Sequence, residues 1–189
     1  MIADEARHAE YALRMAELCA GKPIQLDLDV DKLPRSAWQP MDREEVDACM
    51  IEVSSIGETL AAAFIGACRD LATDPVPKAL FGALLADEVH HARIGWYYLT
   101  WRSPQWSLAE RQRLADRMAQ MIVNIEVNFW SGRDAPAGSR KAARALGVLD
   151  SKSQRKVVRA IMEDEIVPAL DALGLGASHA WSARRRGSA

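Results

Sequence analysis

The sequence predicts an all-α protein folded as a helix bundle, and three observations carry that expectation. Apolar residues recur every three or four positions over five long segments, the period of a helix with a buried face. Helix start and stop residues punctuate those segments: Asp42 with Glu45, Asp74 with Pro75, Ser107 with Glu110, and Gly21 followed by Pro23. Only Ile24 to Val30 alternates apolar and polar residues as extended chain would, and one such stretch does not build a sheet.

The first helix is expected over residues 2–20, with Ala9, Ala12, Leu13, Ala16 and Cys19 on an apolar face in phase with Glu5 and His8. Residues 22–41, with Pro23, Pro34 and Pro40, read as a long crossover. Asp27, Asp29 and Asp31 have the spacing that opens a calcium loop, but Lys32 stands where glycine is wanted and Trp38 where a bidentate glutamate is wanted, so calcium is not expected. The second helix spans about 43–71 and is apolar on every side from Leu60 to Cys68, which requires neighbours all round it. A short turn then makes the third helix, about 75–101, its antiparallel neighbour.

A fourth helix over about 107–130 and a Gly/Pro/Ser-rich loop, 132–139, lead through a short helical stretch to a last helix over about 151–173, which Pro168 should either kink or divide by starting a new segment. Trp96, Trp101, Trp106 and Trp130 gather around one turn and are expected to pack the core and helix ends. One domain over 1–175 and a frayed basic tail over 176–189, containing Arg184 to Arg186, complete the chain.

Charged residues make up 26% of the chain and leave a net charge of -2, so nothing in the balance calls for a nucleic-acid partner. The start, MIADEARHAE, is too charged for a signal peptide, and the longest apolar run, Leu60 to Cys68, falls short of the ~20 residues of a membrane span. Cys19, Cys49 and Cys68 share no metal or redox spacing; an odd set of cysteines in helical segments suits reduced thiols and a cytoplasmic location.

The candidate chemistry lies in a repeat. Asp4-Glu5-Ala6-Arg7-His8-Ala9 and Asp87-Glu88-Val89-His90-His91-Ala92 share the pattern D-E-x-x-H-A. Glu and His three residues apart lie on one helix face, a turn from each other, where both can grip one ion. A single copy is explained as well by a surface ion pair. With 12 glutamates and four histidines in the chain, chance would give two such pairs in roughly 2% of sequences, so the second copy favours a ligand site.

Counting about 1.5 Å per residue away from the turn near 73 and 74 puts Glu58 level with Glu88. Glu52 would stand roughly 9 Å away along the axis, and Glu126 of the fourth helix also misses that level. The candidate ligands are therefore Glu5, His8, Glu58, Glu88 and His91, a set of carboxylates and imidazoles that suits iron or manganese better than a structural zinc. Asp4 and Asp87 each precede a histidine by four residues and are candidates to orient an imidazole, its own or the one opposite; Tyr11 is a weaker candidate for the same surroundings.

Two E-x-x-H helices with a lone Glu on the helix between them resemble the ferritin-like di-iron carboxylate proteins. IGETLAAAF and LADEVHHARIGW are most similar to the rubrerythrin-like branch. The likeness covers about residues 1–101 and implies a ferritin-like bundle holding two iron ions, as Fe/Fe or Mn/Fe, with O2 or peroxide and an unidentified small molecule as reactants. Its scheme has a further ligand helix ahead of the first E-x-x-H, so the bundle is expected to be N-terminally incomplete. The functions that follow are an oxidoreductase, an iron-handling ferroxidase or storage protein, or a helical scaffold with a degenerate site; a homodimer suits the first and the last, whereas storage needs a cage assembly.

Overall fold

In a computed structural model, residues 1–26, 40–130 and 134–184 are described, those from 126 to 130 as backbone alone. Asp27, Asp29 and Asp31, Pro34, and the side chains of Glu126 and Trp130 lie outside the described residues. All regular structure among the described residues is helical: α1 (Ile2–Ala20), α2 (Arg43–Cys49), α3 (Glu58–Leu71), α4 (Pro75–Arg102), α5 (Leu108–Trp130), α6 (Arg140–Ala145), α7 (Ser151–Ile161), α8 (Val167–Ala172) and α9 (Ala177–Ala183).

The ends follow the local chemistry. Gly21 closes α1 in the left-handed region, at φ 66°. Asp42 and Glu45 form a reciprocal capping box on α2, and the Asp74 carboxylate accepts from Val76 N at the start of α4. Helices α2 and α3 continue one another through a π-helical segment, Met50–Gly57, where an unbroken α-helix was expected. A second π-helical segment, Met162–Ile166, precedes Pro168, and the expected proline irregularity takes that form because the ring has no N–H to give to the preceding turn.

Helices α3 and α4 pack along their length, with α5 and α7 to α9 around them. The shared core contains Ile51, Ile56, Leu60, Leu99, Leu114, Met118, Ile122, Val158, Met162, Ile166 and Leu170. Arg43–Leu71 is long and apolar enough to cross a membrane by length and composition, a property its broken apolar runs did not suggest. Ile51, Ile56, Leu60 and Cys68 are buried against other helices, but residues 61–67 are only half-buried, so the run expected to have neighbours all round is covered in part.

The same helix buries Asp47, whose carboxylate accepts from Tyr98 Oη at 2.6 Å and Trp106 Nε1 at 2.8 Å and pairs with Arg102 at 3.1 Å. Arg102 in turn reaches Glu110 at 3.0 Å, so its charge is balanced by two carboxylates, while its buried Nε has no hydrogen-bond partner. Burial, and then the bond to Asp47, push the Tyr98 hydroxyl up to about 12.

Three expectations are corrected. Helix α1 buries no residue: of the expected face Ala9, Ala12, Ala16 and Cys19 are exposed and only Leu13 is half-buried, together with Asp4, His8, Tyr11 and Met15, because α4 is its main neighbour and meets that other stripe. Trp101 is 60% exposed, in contrast to buried Trp106. The expected frayed tail is helical as far as α9, where Ala177, Ala180 and Trp181 pack against α5 and α8; residues 185–189 lie outside the described residues.

Helix α4 comes so near the π-helical segment that a Cβ on Gly95 would lie 2.5 Å from the Ser54 carbonyl. Gly95→Ala is expected to lower unfolding free energy by about 1–3 kcal/mol in urea denaturation, since backbone rather than a flexible side chain must move. Gly82→Ala, whose Cβ meets open space on the same helix, should instead stabilise by about 0.5–1 kcal/mol.

Candidate metal centre

The two D-E-x-x-H-A copies meet on α1 and α4, which run antiparallel: Asp4 lies beside His91 and His8 beside Asp87. Each aspartate serves the opposite helix. His91 Nε2 is 3.1 Å from Asp4 Oδ2, and His8 Nε2 is 3.1 Å from Asp87 Oδ2. Arg7 ties the crossed pair together, with its guanidinium 2.8 Å from both Asp4 Oδ1 and Asp87 Oδ2.

These contacts keep both aspartates anionic. The Met1 ammonium, then His91 and Arg7, hold Asp4 well below the usual carboxylate range, and Arg7 with His8 lowers Asp87. An ionised aspartate can only accept, so the hydrogen-bond network assigns the proton to Nε2 of each imidazole. Each Nδ1 then points inward.

What the two Nδ1 atoms face is a set of carboxylates. His8 Nδ1 is 3.2 Å from Glu88 Oε1 and 3.7 Å from Glu5 Oε2. His91 Nδ1 is 3.2 Å from Glu5 Oε1, 3.5 Å from Glu88 Oε2 and 4.0 Å from Glu58 Oε2. Glu5 and Glu88 therefore each present one oxygen to each imidazole, and the ring centroids are 5.8 Å apart.

Lone pairs and anionic oxygens at such distances repel unless protons or cations stand between them. The buried atoms Glu88 Oε2 and His91 Nδ1 have no hydrogen-bond partner, although such atoms are normally paired. Donors bound about 2.1 Å from one ion stand about 3 Å apart side by side and about 4 Å apart across it. The donor set fits two cations on this test. Glu5, His8 and Glu88 form one compact group, and Glu5, Glu58 and His91 another, with every ligand atom within 4.8 Å of the others in its group.

The structure thus brings together all five residues selected from the sequence, and Glu58 stands level with Glu88. Glu52 turns away and accepts from Asn124 Nδ2 at 2.8 Å. Tyr11 is half-buried and makes no hydrogen bond among the described residues. Arg7 was missed; its signal was a place one helical turn after Asp4, which aims it at the same helix face.

The surroundings differ from side to side. His91 and Glu88 are 2% and 8% exposed, whereas Glu5 is 54% exposed. The group at His91 contains Glu58 and the group at His8 contains Glu88, while Glu5 is the exposed carboxylate shared by both. No family model, curated protein or solved structure matches this chain.

Burial, then a hydrogen bond with Glu88 and its negative charge, push the Glu58 carboxyl up to about 7, with His91 opposing. Without metal the folded chain therefore keeps a proton that the unfolded chain loses near 4.5. The associated stability is present below about pH 4.5 and is lost as pH rises to about 7. Thermal melts of chelator-treated protein should show this decline, and Glu58→Gln should remove it. A decline of equal size in the variant would place its origin elsewhere.

Proposed function

We propose that this chain is a ferritin-like di-metal carboxylate protein whose centre, loaded with two iron ions or with manganese and iron, serves an O2- or peroxide-dependent oxidoreductase. The observation that carries the proposal is the crossed Asp4–His91 and Asp87–His8 pairing, which turns two imidazole lone pairs toward Glu5 and Glu88. The resemblance of IGETLAAAF and LADEVHHARIGW to the rubrerythrin-like branch adds to it.

Glu5, Glu58 and Glu88 would supply the carboxylate ligands that hold the ions, and His8 and His91 the imidazole ligands. At such a site iron would supply the electrons for reducing dioxygen or peroxide, and the carboxylates would offset the added charge of the oxidised ions. The protein's part is positional. Asp4 and Asp87 hold the imidazoles in one tautomer, and Arg7 keeps both aspartates charged. Burial of Glu88 and His91 excludes water from one flank, while exposed Glu5 marks the flank by which a small oxidant would enter.

Protein expressed with iron should hold about two ions per chain, and His91→Ala or Glu58→Ala should reduce that content markedly. Unchanged content in both variants would remove the assignment. Oxygen uptake with added reductant by the loaded protein, and its loss in the variants, would identify an oxidoreductase. A large cage on gel filtration, together with iron uptake far above two per chain, would identify storage instead.

Asp4→Asn and Asp87→Asn are expected to weaken metal affinity by about 10–100-fold while leaving the helix content unchanged, since they loosen the imidazoles without removing a ligand. Metal titration followed by circular dichroism checks this. An affinity equal to that of the unaltered chain would mean that the crossed bonds do not position the histidines.

A further inference from the structure

A second site is suggested far from the metal ligands. The loop before α6, the turn 146–150 and the first residues of α7 enclose a cleft of about 390 Å³, within the range of small-molecule pockets. Its floor includes Leu71, the last residue of α3, which lies thirteen residues beyond Glu58 and so about 20 Å along the helix.

Four cations line the cleft: Arg140, Arg144, Lys152 and Arg155. None of the four side chains makes an ion pair or hydrogen bond among the described residues, although Arg140 and Arg155 act on Asp134, and Arg144 on Asp150, through charge at longer range. The two acids in the cleft wall are already engaged. Asp134 accepts from Ser151 N at 2.7 Å and Ser151 Oγ at 2.6 Å, and Asp150 accepts from Ser153 N at 2.7 Å.

The frame is also fixed. Thr73 N and Asp74 N both donate to Ala145 O at 3.0 Å, which pins the end of α6 to the turn between α3 and α4. Gly147, at φ 85°, sits so close to the Cys68 carbonyl that only glycine fits there. The Asp134 bonds to Ser151 anchor the preceding loop to the start of α7. The cationic side chains thus project from a braced rim above an apolar floor containing Leu71 and Leu149.

We propose that this cleft binds a small, multiply charged organic anion, with its phosphate or carboxylate groups held by Arg140, Arg144, Lys152 and Arg155. Three guanidinium groups offer paired N–H donors that match such oxygens, and two charges remain after Asp134 and Asp150 are set against the four cations. The proposal is independent of the metal centre.

Calorimetric titration of the full chain at constant ionic strength, with pyrophosphate in one arm and citrate in the other, tests it. Saturable binding of either probe at one site per chain is expected, and the stronger of the two identifies the anion type. Arg144→Gln combined with Arg155→Gln should weaken it by about tenfold or more. Lys156→Gln, an exposed change outside the cleft, and His91→Ala should leave it unchanged. Should the double variant lose helix content by circular dichroism, Lys152→Gln alone provides the same comparison. Absence of saturable binding by both probes, or equal weakening by Lys156→Gln, would overturn the proposal.

Discussion

Two aspartate–imidazole hydrogen bonds, crossed between antiparallel helices, are the constraint on which the candidate centre depends. A histidine that gives its Nε2 proton to a carboxylate has only Nδ1 left to offer, and the bond also fixes the plane of the ring. Here the donor on α1 is held by α4 and the donor on α4 by α1. Neither helix can shift along the other without releasing an imidazole. Arg7 adds the charge that allows two aspartates to approach from opposite sides.

That polar seam also explains how α1 is attached. The hydrophobic core is built by α3, α4, α5 and α7 to α9, and α1 adds no buried residue to it. Burial of apolar area therefore contributes little to the docking of α1, which relies on ion pairs and hydrogen bonds around the centre. An ion shared between the helices would strengthen this attachment, since ligands drawn from both must separate before α1 can leave. The close approach of α4 to the π-helical segment at Gly95 serves the other side of the centre, bringing the helix of Glu58 against the helix of Glu88 and His91.

Much of this was legible in the residues. The three-residue spacing within Glu5–His8 and Glu88–His91 is a property of any α-helix, so each pair could be placed on one face from sequence alone. The level of Glu58 followed from constant helical rise away from a short turn, although the π-helical segment that precedes it did not. The alanine stripe of α1 misled because it marks a face able to be buried, while the face actually covered carries Asp4, His8, Tyr11 and Met15. Trp101 misled similarly: aromatic character favours burial, but the neighbouring turn covers Trp106 instead.

By itself the sequence determined the helical class, the limits of most helices, and which carboxylates and imidazoles share a helix face, because these depend on contacts within a turn or two of chain. Only the tertiary structure decided that Asp4 serves His91 and Asp87 serves His8, that Arg7 joins them, and that Glu5 and Glu88 each reach both imidazoles. Those pairings join residues about eighty positions apart, and the packing of one helix on another selects among partners that local periodicity leaves equivalent.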